Sequence, residues 1–204
     1  MTGLSFREFL AISRGYHLPV YSLEDVLNHK VDFPYDKERP LQLFKEYLQQ
    51  GFYPFFKEKG YFIRLQSIVN QTLENDIPTF AKMNITTAQK IKKLLYIIAK
   101  SVPFKPNFTK LATLLDINRN TVSDLMCYLE KAGMINQLRS DTEGIRLLGK
   151  VDKVYLNNTN LAYALANNVP DIGNIRETVF FSTMKATHPI VTSSVSDFSI
   201  GDYT

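Results

Sequence analysis

Between Asn118 and Gly133 the chain carries Val122, Leu125, Met126 and Leu129 at i, i+3, i+4 and i+7, an apolar stripe on one side of a helix. A polar break, Asn118-Arg119-Asn120, precedes it, and Asn120 or Thr121 can cap its start. Gly133 follows where a helix end favours glycine. Such a short, tightly bounded helix needs partners to bury its stripe, and the flanking sequence offers them. "TTAQKIKKLLYIIAKS" gives a helix with Ile91, Leu94, Leu95 and Ile98 inward, ended by Pro103 and Pro106. "FTKLATLLDI" gives a second, with Leu111, Leu114 and Leu115 inward. After Gly133, "MINQLRSDTEGIRLLGKVDKVYLN" reads as two β-prone runs about a turn at Ser140 to Gly144. Three helices and a β-hairpin over residues 85–157 make a winged helix-turn-helix, because every local signal agrees.

The rest of the chain is helical in pattern, and the expected fold class is mainly α. Residues 1–84 form a helical segment. "SFRE" (Ser5 to Glu8) and "SLED" (Ser22 to Asp25) are capping boxes. Leu41, Phe44, Tyr47 and Leu48 recur at helical spacing up to Gly51, and Ile63, Ile68 and Leu73 mark another helix before Pro78. The aromatic turn "GFYPFF" (Gly51 to Phe56) reads as a core plug. Residues 158–204 start with the helix "NTNLAYALAN", continue with one from about Asn174 to Thr187, and end on β-prone runs at Ile190-Val191 and Phe198-Ile200. This last piece reads as an incomplete α/β region, cut off within a sheet.

Composition narrows function. The 204 residues include 14 Phe, 11 Tyr and one cysteine, Cys127, so no internal disulfide is possible and a reducing, cytoplasmic setting is expected. No apolar run approaches the ~20 residues of a membrane span, and no signal peptide opens the chain. The net charge is +4, yet residues 86–157 hold twelve Lys/Arg against six Asp/Glu. Basic charge concentrated there attracts polyanions.

On this reading the candidates for DNA contact are Arg119, Asn120, Thr121, Ser123, Tyr128 and Lys131 on the third helix, with Arg139, Arg146, Lys150 and Lys153 on the wing. The start of such a helix meets base edges, and the wing meets phosphates. Asp124 and Glu130 put opposing charge on the same helix. About four phosphate contacts, from Arg119, Arg146, Lys150 and Lys153, imply a log-log salt slope near −3.6. The rival is a protein-interaction module in which this helix packs on another domain or subunit.

Catalytic patterns are sparse. "GIRLLGKV" (Gly144 to Val151) has phosphate-loop spacing, but Val151 stands where magnesium needs a hydroxyl and the intervening residues are bulky, so no nucleotide site is expected. His17, His29 and His188 lack metal-ligand spacing. Glu177 and Asp197 are the two carboxylates that could belong to a nuclease-like centre.

Five stretches carry a resemblance: "LSFREFL" (Leu4 to Leu10), "LPVYSLEDVL" (Leu18 to Leu27), "LEKAGMI" (Leu129 to Ile135), "VYLNNTNLAYAL" (Val154 to Leu165) and "NIRETVFF" (Asn174 to Phe181). Together they resemble the C-terminal half of prokaryotic AAA-type ATPases that carry an uncharacterised ATPase-associated C-terminal domain. The resemblance implies that residues 1–84 are the ATPase lid, 85–157 the winged helix and 158–204 an incomplete PD-(D/E)xK nuclease-like region. It implies that Glu177 and Asp197 match the first two acidic positions of that nuclease fold, whose third acid and lysine would follow "GDYT". The Walker segments that hold ATP and magnesium in the intact family are absent from these residues. The expectation is therefore a non-catalytic fragment without cofactor, whose partners are DNA and the P-loop ATPase domain, with no membrane contact. A remnant metal-dependent nuclease is the further alternative.

Overall fold

A computed structural model describes residues 3–35, 39–140, 150–165, 169–201 and 203. Among the described residues the fold is mainly α, with one two-stranded antiparallel sheet. By contact the chain divides into two compact units, residues 1–61 and 62–204. That boundary falls inside the first of the three segments drawn from the sequence.

In the first unit, helices α1 (Phe6–Arg14), α2 (Leu23–Leu27) and α3 (Pro40–Gln50) form around aromatic rings. Both expected capping boxes are present: the Ser5 hydroxyl accepts from the Glu8 N–H while Glu8 accepts from the Ser5 N–H, and Ser22 and Asp25 do the same. Phe9 contacts Tyr47 and Phe56 at ring separations of 5.7 and 4.9 Å, so the aromatic turn does plug the core. Helix α3 ends at Gly51, where a Cβ would lie 2.6 Å from the Tyr47 Cα, so the close approach there requires glycine. The inward face of α3 is set by Leu43, Tyr47 and Leu48, leaving Leu41 at 77% exposure.

The second unit starts with α4 (Tyr61–Gln71), runs through a π turn at Thr72–Asp76 and continues as α5 (Ile77–Ala81). The wide turn, closed by the Ile77 N–H on the Thr72 carbonyl, falls just before Pro78, which has no N–H to continue an α pattern. Tyr61, Leu65, Val69, Leu73 and Ile77 are buried along this stretch. Of the apolar residues that mark this helix in the sequence, Leu73 is buried while Ile63 and Ile68 are exposed.

Next come α6 (Ile85–Ala99), α7 (Phe108–Leu115), α8 (Arg119–Lys131) and strands β1 (Ile135–Arg139) and β2 (Val151–Leu156), the order expected from the sequence. The α6 and α8 stripes are fully buried as expected, while Leu114 is half exposed. Gly133, at φ +70°, ends α8: its N–H bonds the Glu130 carbonyl and that of Met134 bonds Leu129, a Schellman closure. The strands pair antiparallel from Ile135 against Leu156, and Phe104, between α6 and α7, bonds Val154 on the other edge of β2. "GIRLLGKV" lies outside the described residues except for Lys150 and Val151.

Both faces of this small sheet are covered. Val154 and Gln137 share one face, where Gln137 bonds Glu130 of α8. Tyr155 and Asn136 share the other, beneath α10 (Ile172–Lys185), which follows α9 (Thr159–Leu165). There the Tyr155 ring lies 5.0 Å from that of Phe181, and Phe198 stacks on Phe181. The β-prone C-terminal runs meet as a single bridge between Val191 and Ser199. Among the described residues no helix is long and apolar enough to cross a membrane.

Candidate nucleic-acid interface

The turn between α7 and α8 fixes the candidate surface. Asp116 adopts a left-handed conformation (φ +51°) that closes α7, and the chain re-enters a helix at Arg119. The cap is Asn118, two or three residues earlier than the sequence suggested: its side-chain oxygen accepts from the Thr121 N–H at 2.8 Å and the Thr121 hydroxyl at 3.0 Å. A short polar side chain ahead of the first turn satisfies N–H groups that have no helical partner. Asn120 and Thr121 therefore sit within that first turn. Thr121 is half-buried and engaged in the cap, so it is a positioning residue rather than part of an open face.

Arg119, Asn120, Ser123, Asp124, Cys127 and Lys131 are exposed on the side of α8 opposite its buried stripe, and Tyr128 is half-buried beside them. Arg119 and Lys131 have no ion pair among the described residues. Asp124 is open to solvent on this face, and Tyr128 is partly covered.

The wing strands behave differently. Arg139 turns back to α8: its guanidinium donates to the Gln137 side chain at 3.3 Å and lies 3.8 Å from Glu130. Glu130 also accepts from the Gln137 N–H (3.0 Å), the Gln137 side-chain amide (2.9 Å) and Lys185 of α10 (3.0 Å). The acid that opposed DNA contact in the sequence is thus matched by two cations. Lys153 departs further from expectation. Its ammonium donates to Asp197 at 2.6 Å and lies 3.7 Å from Glu177. Burial alone would lower its pKa, but the Asp197 hydrogen bond and the Glu177 charge outweigh this and hold it above the ordinary lysine value. Lys150 is exposed, and Arg146 lies outside the described residues.

The two carboxylates singled out in the sequence do converge. Glu177 accepts from the Tyr155 hydroxyl at 2.9 Å, and burial together with that carboxylate pushes the Tyr155 pKa well up. Asp197 closes the cluster from the C-terminal segment, beside an open cavity of about 580 Å³ lined by Arg176, Phe180 and Phe198. A divalent cation would need more oxygen ligands than these two, and the Lys153 ammonium already binds Asp197. The cluster fits an ion-paired clasp between β2, α10 and the C-terminal segment better than a metal centre.

Two cations that the sequence reading passed over also reach the turn. Lys90 of α6 donates to the Asp116 carbonyl at 2.6 Å, and Lys93 donates to the Leu114 carbonyl at 3.3 Å. Their i, i+3 spacing on α6 was the available signal.

Among known proteins, the chain is similar to the uncharacterized protein MJ1637 of the archaeon Methanocaldococcus jannaschii, 25% identical over 141 residues. That match covers 65% of this chain and 30% of the relative, so the chain spans less than a third of that protein's length. No solved structure matches it. A family model matches residues 41–171, which include α8 and both strands but stop before Glu177 and Asp197. By that match over more than half its length, the chain belongs to the family described as Domain of unknown function (DUF8612).

Proposed function

We propose that residues 85–157 act as a winged helix-turn-helix that touches DNA weakly and with little sequence preference. The observation that carries this reading is the open N-terminal face of α8, with Arg119, Asn120 and Ser123 exposed where helix-turn-helix proteins meet base edges. The neutralisation of Glu130 by Arg139 and Lys185 supports it by removing a repulsive charge from the same helix. Asp124 stays exposed and limits affinity.

Binding rather than catalysis is the contribution of these residues, in a reducing, cytoplasmic setting. The resemblance to AAA-type ATPases supplies the second partner, a P-loop domain that binds ATP and magnesium, for which residues 1–84 would serve as lid. Among the described residues, Arg119, Lys131 and Lys150 are the exposed cations on α8 and the wing, and three phosphate contacts give a log-log salt slope of about −2.7 or steeper. Fluorescence anisotropy with a short labelled duplex over a sodium chloride series is the test. Salt-sensitive binding at about 10⁻⁴ to 10⁻⁶ M at physiological salt is the expected result. No binding even at low salt would overturn the reading and leave the α8 face as a protein-docking surface.

A further inference from the structure

The geometry points to a phosphate-binding cluster at the α7–α8 turn, made by Lys90 and Lys93 of α6 together with Arg119. It rests on the DNA reading above and extends it to an element outside the helix-turn-helix pair.

Three lysines occur close together on α6, and they are used differently. Lys92 pairs with Glu74 at 2.6 Å. Lys90 and Lys93 have no carboxylate partner among the described residues; their ammonium groups lie on the Asp116 and Leu114 carbonyls. Those carbonyls belong to the C-terminal end of α7, the negative end of its dipole, immediately before the Asn118 cap and Arg119. Lys90, Lys93 and Arg119 thereby all border one turn, where Asp116 is exposed and Asp124 lies further along α8.

Helix closure alone does not require them. The end of α7 is already closed by backbone bonds from Asp116 to Ala112 and Thr113 and from Ile117 to Ala112. Leu114 and Asp116 are exposed, so water could serve their carbonyls. Each ammonium has three donors and commits one here, which leaves the others open to an anion. The long side chains are also held in place beforehand, so less conformational freedom is lost when phosphate arrives. Lysines act on phosphate as point charges, so this cluster would position a duplex without reading bases.

The test uses the full chain, a labelled DNA duplex and a salt series. With Lys90 and Lys93 added to the three exposed cations, the wild-type slope should be about −4.5, and Lys90→Gln/Lys93→Gln should return it to about −2.7. Lys90→Arg/Lys93→Arg should keep the wild-type slope. If the Gln pair does not fold, Lys93→Gln alone, at the exposed and longer contact, should still flatten the slope by about 0.9. A slope insensitive to both lysines but reduced by Arg119→Ala would overturn the cluster and leave the α8 reading standing. Absence of wild-type binding at low salt would remove both.

Discussion

The α7–α8 turn and the β1–β2 strands are each bordered by Lys and Arg side chains, yet their charges are spent differently. On the strands, Arg139 and Lys153 face carboxylates from α8, α10 and the C-terminal segment, and both are half-buried. At the turn, Arg119 is exposed, and among the described residues Lys90 and Lys93 meet only backbone carbonyls. Positive charge in a sequence is therefore not the same as charge available to a polyanion. The difference comes from burial: a cation under a covering helix must find an anion, because an unpaired charge is costly to desolvate.

The comparison breaks most violently at Glu130. Glu130→Ala removes the acceptor for the Gln137 backbone N–H and side-chain amide, both largely buried, and leaves Arg139 and Lys185 without their carboxylate. A loss of about 2–3 kcal/mol in urea unfolding is expected. A change near zero would mean that the strand cations do not depend on this acid.

Lys153 offers a smaller disruption. Lys153→Met leaves Asp197 and Glu177 unmatched, but both reach solvent, so about 1 kcal/mol is expected. The same clasp gives a pH signature. The Lys153 pKa is raised above its ordinary 10.5 and that of Tyr155 above its ordinary 10.0, so the folded state retains protons that the unfolded chain releases. Their stabilisation is full below about pH 10 and falls as pH rises further. Lys153→Met should flatten that alkaline decline, measured by thermal unfolding across pH; an unchanged profile would count against the clasp.

On the side of the turn, Asn118→Ala removes the cap that starts α8. A cost of about 1 kcal/mol is typical of such a loss. Because fraying would begin at Arg119 and Asn120, duplex affinity should fall along with stability. Unaltered affinity would separate DNA contact from the first turn of α8.

Local signals in the sequence were readable where chemistry and spacing coincide. The Ser5/Glu8 and Ser22/Asp25 boxes, the α6 and α8 stripes and the Gly133 closure all appear as expected. The cap of α8 was harder, since Asn118, Asn120 and Thr121 are all capable residues and only the backbone at Asp116 selects the first. Helical spacing at Leu41 and Ile63 marks the helices but not their inward faces, because neighbouring apolar residues offer a second face and packing selects Leu43 and Leu65. Farthest from view were pairings such as Lys153 with Asp197, 44 residues later, and Glu130 with Lys185, 55 residues later. No local pattern encodes these, and they determine which cations remain on the candidate surface.

The central claim is that the turn, not the strand pair, presents charge to DNA. Its most direct test compares Arg119→Ala with Lys153→Met in one anisotropy salt series on the same duplex. Arg119→Ala should flatten the log-log slope by about 0.9, while Lys153→Met should leave it at the wild-type value. A slope flattened by Lys153→Met and untouched by Arg119→Ala would contradict the account.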